Sequence, residues 1–203
     1  MHVPIPNQML YRRFARWYDA LFEGFFRKGR EQTQSVLNIQ PGEKLFISGI
    51  GTGLDIPMLP RDALITGIDF NDEMLVLARQ RAGKRLITLL QMDAQNLSFE
   101  DATFDAALLN LIISVAPDGN RVFREAWRVL KPGGRMAIFD KFAPETGKIS
   151  LFRRLAGAII NWCGTDINRR LSDMLAGVDD STVEYNQTVI HGVYHILLLR
   201  KKA

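Results

Sequence analysis

Gly49, Gly51 and Gly53 stand at alternate positions directly after a short apolar run, and they carry the most chemical information in the chain. Glycines there let the backbone turn sharply and approach a ligand closely, because a Cβ would collide. The helix that follows offers unpaired N–H groups at its start. The spacing separates the candidate ligands. A dinucleotide fingerprint needs G-x-G-x-x-G or A, and Leu54 occupies that last place. The Lys-Ser/Thr pair of a triphosphate-binding loop is also missing. Asp69 closes the second apolar run, sixteen places past Gly53. A carboxylate there can accept hydrogen bonds from both ribose hydroxyls of an adenosine. Asp93 closes the third run and can accept from an adenine amino group. Plainer readings exist beside these: a structural turn, a helix cap and a loop aspartate. For capping, Asn71 and Asp72 are better placed than Asp69.

Other reactive side chains are few. His191 and His195 are the only histidines in the body of the chain. At i, i+4 in a strand they share a face, either reaching a site or serving as hairpin and sheet residues. Asp140-Lys141 follows the fifth strand and reads as a substrate-orienting pair or a surface pair. No His and carboxylate spacing supports a metal centre. The lone Cys163 excludes an internal disulfide and a multi-thiolate zinc site.

The elements that must position these residues alternate. Phe14, Trp17, Tyr18, Leu21, Phe22 and Phe25 repeat at helical spacing, which predicts an amphipathic helix over Tyr11–Arg30. A second helix is expected over Glu31–Leu37, ending before Pro41-Gly42. Strands are expected at 44–48, 64–69, 85–91, 104–111 and 135–139, with helices at 72–82 and 120–130 between them. Lys131-Pro132-Gly133-Gly134 reads as a turn. One or two helices over 148–176 precede strands at 182–189 and 193–200, joined around His191-Gly192. Repeated strand-helix units with apolar strands imply an α/β fold, a doubly wound and mostly parallel sheet with one antiparallel strand at its end.

The chain has 203 residues, 47% of them hydrophobic and 24% charged, the balance of an ordinary single globular domain. No run reaches the ~18 apolar residues of a membrane-spanning helix. The N-terminus carries no secretory signal, so a cytoplasmic protein is expected. The net charge is +4 and unevenly placed. Six basic residues face two acidic ones between Met1 and Arg30, and five face one between Lys148 and Arg170. These are two solvated helix faces or two contacts for anionic partners such as the inner face of a membrane.

Taken in order, Phe46-Ile-Ser-Gly-Ile-Gly-Thr-Gly53, Gly67-Ile-Asp-Phe-Asn-Asp-Glu-Met-Leu75, Gln91-Met-Asp-Ala94, Phe104-Asp105 and Leu130-Lys-Pro-Gly-Gly134 resemble the class I S-adenosylmethionine-dependent methyltransferases. The resemblance runs from about Leu45 to Phe139. It implies a Rossmann-like seven-stranded sheet behind an N-terminal helical cap, with the cap at residues 1–40 and the methyltransferase domain at 41–203. It implies S-adenosylmethionine as cofactor, its methionine part on Gly49, Gly51 and Gly53 and its ribose on Asp69. Phe70 and Met74 would flank the adenine, Asp93 and the Ala94 amide would read its edge, and Asn110 would face the methionine or ribose. The family usually has an acid where this chain has Ile47.

The segment Tyr11–Asp19 and the stretches Gly51–Pro57 and Val115–Asp118 are similar to bacterial phosphatidylethanolamine N-methyltransferases and to quinone-biosynthesis methyltransferases. In such enzymes the leading helix folds over the cofactor, which would make Tyr11 and Tyr18 catalytic-site residues; core packing is the alternative. The expected substrate is a lipid headgroup, a quinone or another amphiphilic small molecule. Arginines beside aromatic residues suit an interfacial helix on anionic lipid, and hence a peripheral membrane protein. Nucleic acid is not expected, because Asn110-Leu-Ile-Ile113 lacks the Pro-Pro-aromatic platform of base-amine methylases. Ile47 leaves a third function open, cofactor binding without catalysis.

Overall fold

The computed structural model describes residues 24–143, 169–190 and 192–203. A helix over 24–37 (α1) leads into β1 (Lys44–Ser48), a 3-10 turn at Ile56–Met58, β2 (Leu64–Asp69), α2 (Asp72–Ala82), β3 (Ile87–Gln91) and β4 (Phe104–Asn110). Then follow α3 (Gly119–Arg128), β5 (Leu130–Lys141), α4 (Leu171–Leu175), β6 (Ser181–Val189) and β7 (Tyr194–Lys201). One seven-stranded sheet runs in the order β3-β2-β1-β4-β5-β7-β6. Tyr11, Tyr18 and the first part of the expected leading helix lie outside the described residues, as does most of the 148–176 helical region.

Side-chain alternation along the strands divides the core. On one face Phe46, Ala107, Leu109, Met136 and Ile138 pack under Val122, Phe123, Ala126 and Trp127 of α3, with Leu171 and Met174 of α4. On the other, Leu45, Ile47, Ala106, Leu108 and Ala137 meet Leu75, Ala78 and Ala82 of α2 and Leu37 of α1. Burial on both faces explains why β4 reads as an almost unbroken apolar run. α2 and α3 both begin on a side-chain cap. Asn71 Oδ1 accepts from Glu73 N at 2.8 Å, and Asp118 Oδ1 accepts from Arg121 N at 2.9 Å.

Several expectations need correction. The chain is helical from 24 to 37 without a break at 30–31. No proline interrupts it, and Arg27 Nε bonds Glu31 Oε1 at 2.8 Å across the expected boundary. The antiparallel strand is not at the end of the sheet. β7 inserts between β5 and β6, antiparallel to both, so β6 forms the edge. The anticipated turn at 131–134 is a bulge inside β5: Phe104 pairs with Leu130 and Ala106 with Arg135, so the extra residues loop out without ending the strand. Leu111 leaves β4 at φ +61°, which ends that strand at Asn110.

α1 docks through a close backbone approach. A Cβ at Gly29 would stand 2.3 Å from Phe139 Cζ, while Phe26 packs edge-on against the same ring. Gly29→Val is therefore expected to destabilise the protein by about 1–3 kcal/mol, lowering the thermal midpoint by several degrees; an unchanged midpoint would show that α1 does not rest on Phe139.

Candidate functional site

β1 sits between β2 and β4, so the chain runs outward one way through β2 and β3 and then restarts on the other side with β4. The carboxyl ends of β1 and β4 thus form the crevice where open α/β sheets take ligands. After β1 the backbone bends with Gly49, Gly51 and Gly53 all left-handed, at φ +66°, +56° and +82°. Ile50 N donates to Ile68 O at 2.8 Å, tying the bend to β2.

Asp69 holds the bend from the side. Its Oδ2 accepts from Gly51 N and its Oδ1 from Asn71 N, both at 2.9 Å. The carboxylate keeps further acceptor capacity for a ligand. Burial pushes the Asp69 carboxyl above its ordinary range, against the opposing pull of the Asn71, Gly51 and Phe70 amides. Asp93 Oδ1 accepts from Gln95 N at 2.8 Å and from Gln95 Nε2 at 3.1 Å, fixing the loop after β3.

These groups border a cavity of about 300 Å³. Gly49, Ile68, Asp69, Phe70, Asp93 and Ala94 line it, facing Ile112, Val115, Ala116 and Pro117 of the loop after β4. Its walls are apolar, and among the described residues the two aspartates are its only titratable lining groups. That combination suits a flat apolar ring carrying hydroxyls, on a molecule with positive charge. Of the remaining expected site residues, Gly51 and Gly53 support the bend without lining the cavity. Met74 sits half-buried on the first turn of α2 and is not on the cavity wall. Asn110 is buried beside the cavity, and its amide turns to Asp55.

Asp55 is the residue that sequence reasoning missed. It is 2% exposed and makes no cap bond to its own 3-10 turn. Its carboxylate takes Arg30 Nη1 at 2.5 Å, Gln34 Nε2 at 3.0 Å and Asn110 Nδ2 at 2.7 Å. Ile47 is only core, packed on the α2 side of the sheet. A second, buried carboxylate thus comes from the loop that follows the bend, balanced by an arginine of α1. Arg30 is accordingly an internal ion-pair partner, and Arg169, in the second basic segment, donates to Ile113 O.

Asp140 is no surface residue. It is fully buried, accepts from Ser114 N at 3.1 Å and from Lys141 N at 2.8 Å, and so anchors the loop that walls the cavity. Burial raises its pKa and lowers that of Lys141. His195 pairs within the sheet with Asp140 and Thr188, sets Nδ1 3.2 Å from Asn186 Oδ1 and does not line the cavity. His191 is outside the described residues. Among the described residues, no helix is long and apolar enough to cross a membrane.

The methyltransferase domain family matches residues 47–138. A phosphatidylethanolamine N-methyltransferase of Cereibacter sphaeroides is 30% identical, over 94% of this chain and 97% of that one. A ubiquinone/menaquinone biosynthesis C-methyltransferase of Caulobacter vibrioides is 33% identical over 68% of this chain, which spans only 61% of that relative. Among solved structures, a chain from Bacillus halodurans C-125 superposes with a TM-score of 0.74 at 16% identity, covering 87% of this chain and all of that one. The likeness in sequence, the glycine bend with its strand-end carboxylates and the inserted antiparallel β7 place the chain among the class I S-adenosylmethionine-dependent methyltransferases, enzymes for which S-adenosylmethionine is the methyl-donating cofactor.

Proposed function

We propose that this enzyme methylates the amine of a phosphatidylethanolamine-type lipid headgroup. What supports that acceptor is the end-to-end match to the Cereibacter sphaeroides enzyme, where the quinone methyltransferases align over only part of their length. Asp69 takes the two ribose hydroxyls on the lone pairs that the Gly51, Asn71 and Phe70 amides leave free. Asp93 and the Ala94 amide read the adenine edge, with the half-exposed Phe70 against its face. The methionine end lies along Gly49, Gly51 and Gly53 towards Asn110.

When bound, the cofactor supplies an electrophilic methyl group on a positively charged sulfur. The protein's part is alignment and exclusion of water. An amine acceptor has to arrive uncharged, and removal from water lowers an amine's pKa in that direction. Tyr11 and Tyr18, on the leading segment, orient that amine in this reading. The same segment carries Arg12, Arg13 and Arg16 to an anionic lipid surface.

Transfer of labelled methyl from S-adenosylmethionine tests the acceptor. Phosphatidylethanolamine vesicles are expected to yield labelled monomethyl lipid, and labelling of a demethylmenaquinone alone would overturn the assignment. In vesicle flotation, anionic vesicles are expected to carry severalfold more protein than neutral ones at low salt, and the difference should shrink as salt screens it. Equal flotation on both would remove the electrostatic part of the reading.

A further inference from the structure

Lys141 is the last residue of β5 and takes no part in the cofactor cavity. The register fixes its position. β4 pairs with β5 as far as Asn110 opposite Phe139, and Leu111 then leaves the strand at φ +61°. β5 continues for two more residues, paired only with β7, where Lys141 lies opposite Tyr194. Lys141 therefore stands on the carboxyl edge of the sheet, beyond the end of β4.

Alternation along β5 puts Lys141 on the face of Phe139, where α1 docks, and Asp140 on the opposite face. Phe26, Phe139 and Tyr194 pack together on the Lys141 face, with ring centroids 5.3 to 6.0 Å apart. Among the described residues the Lys141 ammonium has no hydrogen-bond acceptor. The Asp140 oxygens are engaged by the Ser114 and Lys141 backbone amides instead. Elsewhere Arg30 is matched to Asp55, Lys131 to Asp105 and Arg135 to Glu43. A half-buried ammonium beside aromatic rings is costly until an anion meets it, and burial already lowers the Lys141 pKa.

Position narrows the choice of anion. Lys141 lies one strand over from Asn110, about 4.8 Å, and two residues further along, about 7 Å. A phosphoethanolamine headgroup carries its phosphate one ethylene unit and one oxygen away from its amine. The four-carbon lysine stem can close that span when the amine lies near Asn110, at the methionine end of the cofactor. We propose that Lys141 binds the phosphate of the acceptor's headgroup and thereby sets how far the amine enters the site. The proposal rests on the ethanolamine-lipid reading given above and adds an anion requirement to it, which a neutral amphiphilic amine does not meet.

Dihexanoylphosphatidylethanolamine, used as dissolved monomers, tests this apart from membrane binding. Lys141→Met keeps the stem and removes the charge, and Lys141→Arg keeps the charge. The methionine variant is expected to raise KM for this lipid about tenfold or more, with kcat and S-adenosylhomocysteine affinity near wild type; the arginine variant should recover most of the loss. An unchanged KM in Lys141→Met, a fall in kcat in place of the rise in KM, or an arginine variant no better than the methionine one overturns the proposal. Dihexanoylphosphatidic acid, which has the phosphate without the amine, reads the site without turnover. By calorimetry on the protein loaded with S-adenosylhomocysteine, it is expected to bind wild type about tenfold more tightly than Lys141→Met. Such binding without turnover of the ethanolamine lipid would fail the acceptor and keep the anion site, whereas equal binding to both proteins, or to neither, fails the site. Inorganic phosphate is the third probe: if it binds as tightly as the lipid phosphate, the site belongs to a free anion and the headgroup assignment falls.

Discussion

Asp69→Ala is expected to reduce affinity for S-adenosylmethionine by about 100-fold or more. The reasoning starts from the count of lone pairs. The Gly51 and Asn71 amides take one acceptor site on each carboxylate oxygen, the Phe70 amide pulls on the same group, and the remaining lone pairs can serve a ligand. Hydrogen bonds to a charged group contribute about 1.5–3 kcal/mol each, so two ribose hydroxyls together reach about 3 kcal/mol, and every 1.4 kcal/mol is tenfold. The substitution also releases the Gly51 amide, so the bend loses its lateral tie. Asp69→Asn keeps the shape and part of the acceptor capacity and is expected to fall between wild type and Asp69→Ala. An Asp69→Ala affinity within threefold of wild type would exclude Asp69 from the ribose site.

The same residue sets a pH dependence. Burial raises the Asp69 pKa, so in the free protein this carboxyl takes up a proton at higher pH than an ordinary aspartate. Hydrogen bonds from ribose hydroxyls favour the ionised form and pull the pKa back down. Binding therefore releases a proton in the window between the two values. Affinity is expected to rise with pH through that window and to level off above the raised pKa of the free protein. Titrations between about pH 4 and 7 in buffers of differing ionisation enthalpy detect the proton, and Asp69→Asn should abolish this component. Without a ligand the sign for stability is opposite: the native state binds more protons than the unfolded chain, so this group's contribution falls as pH rises through the folded pKa.

How much of this could be read in advance follows from the range of the interactions involved. The bend, Asp69 and Asp93 are local to strand ends, where residue type and spacing report conformation directly. Asn71 and the boundaries of α2 were legible for the same reason, since a cap is a contact between residues two apart. Asp55 was not. Its meaning comes from Arg30, twenty-five residues earlier, and Asn110, fifty-five later, and nothing local marks a loop aspartate as buried. The place of β7 was hidden similarly. Two consecutive strands with a tight connection predict a hairpin, but which of them joins β5 depends on the register of Phe139 with Ile196 and Asp140 with His195. The bulge at 131–134 shows the converse error, where glycine and proline chemistry that usually ends a strand only looped it out.

Gly49→Val is expected to abolish measurable cofactor binding, a loss of at least about 100-fold, and to lower stability as well. Two costs coincide there. A side chain at φ +66° costs about 1–2 kcal/mol in the left-handed region, more for a β-branched one. Its Cβ would also stand 2.6 Å from Ile112 Cδ1 and 3.0 Å from Ile112 Cβ. Ile112 belongs to the loop that walls the cavity, and that loop is pinned where Ser114 N bonds buried Asp140. It can give way only at the expense of cavity shape. Gly51 provides the comparison: its φ is +56°, but beyond its chain neighbours no atom lies within 4 Å of where a Cβ would stand. Gly51→Ala should show the backbone cost alone, about 1–2 kcal/mol of stability, and a modest loss of affinity. Shortening the obstructing partner separates the two effects further. Combined with Gly49→Ala, Ile112→Ala should recover part of the lost affinity while leaving the backbone strain in place. Additive losses in that double variant would mean that steric contact with Ile112 is not what makes glycine necessary at position 49.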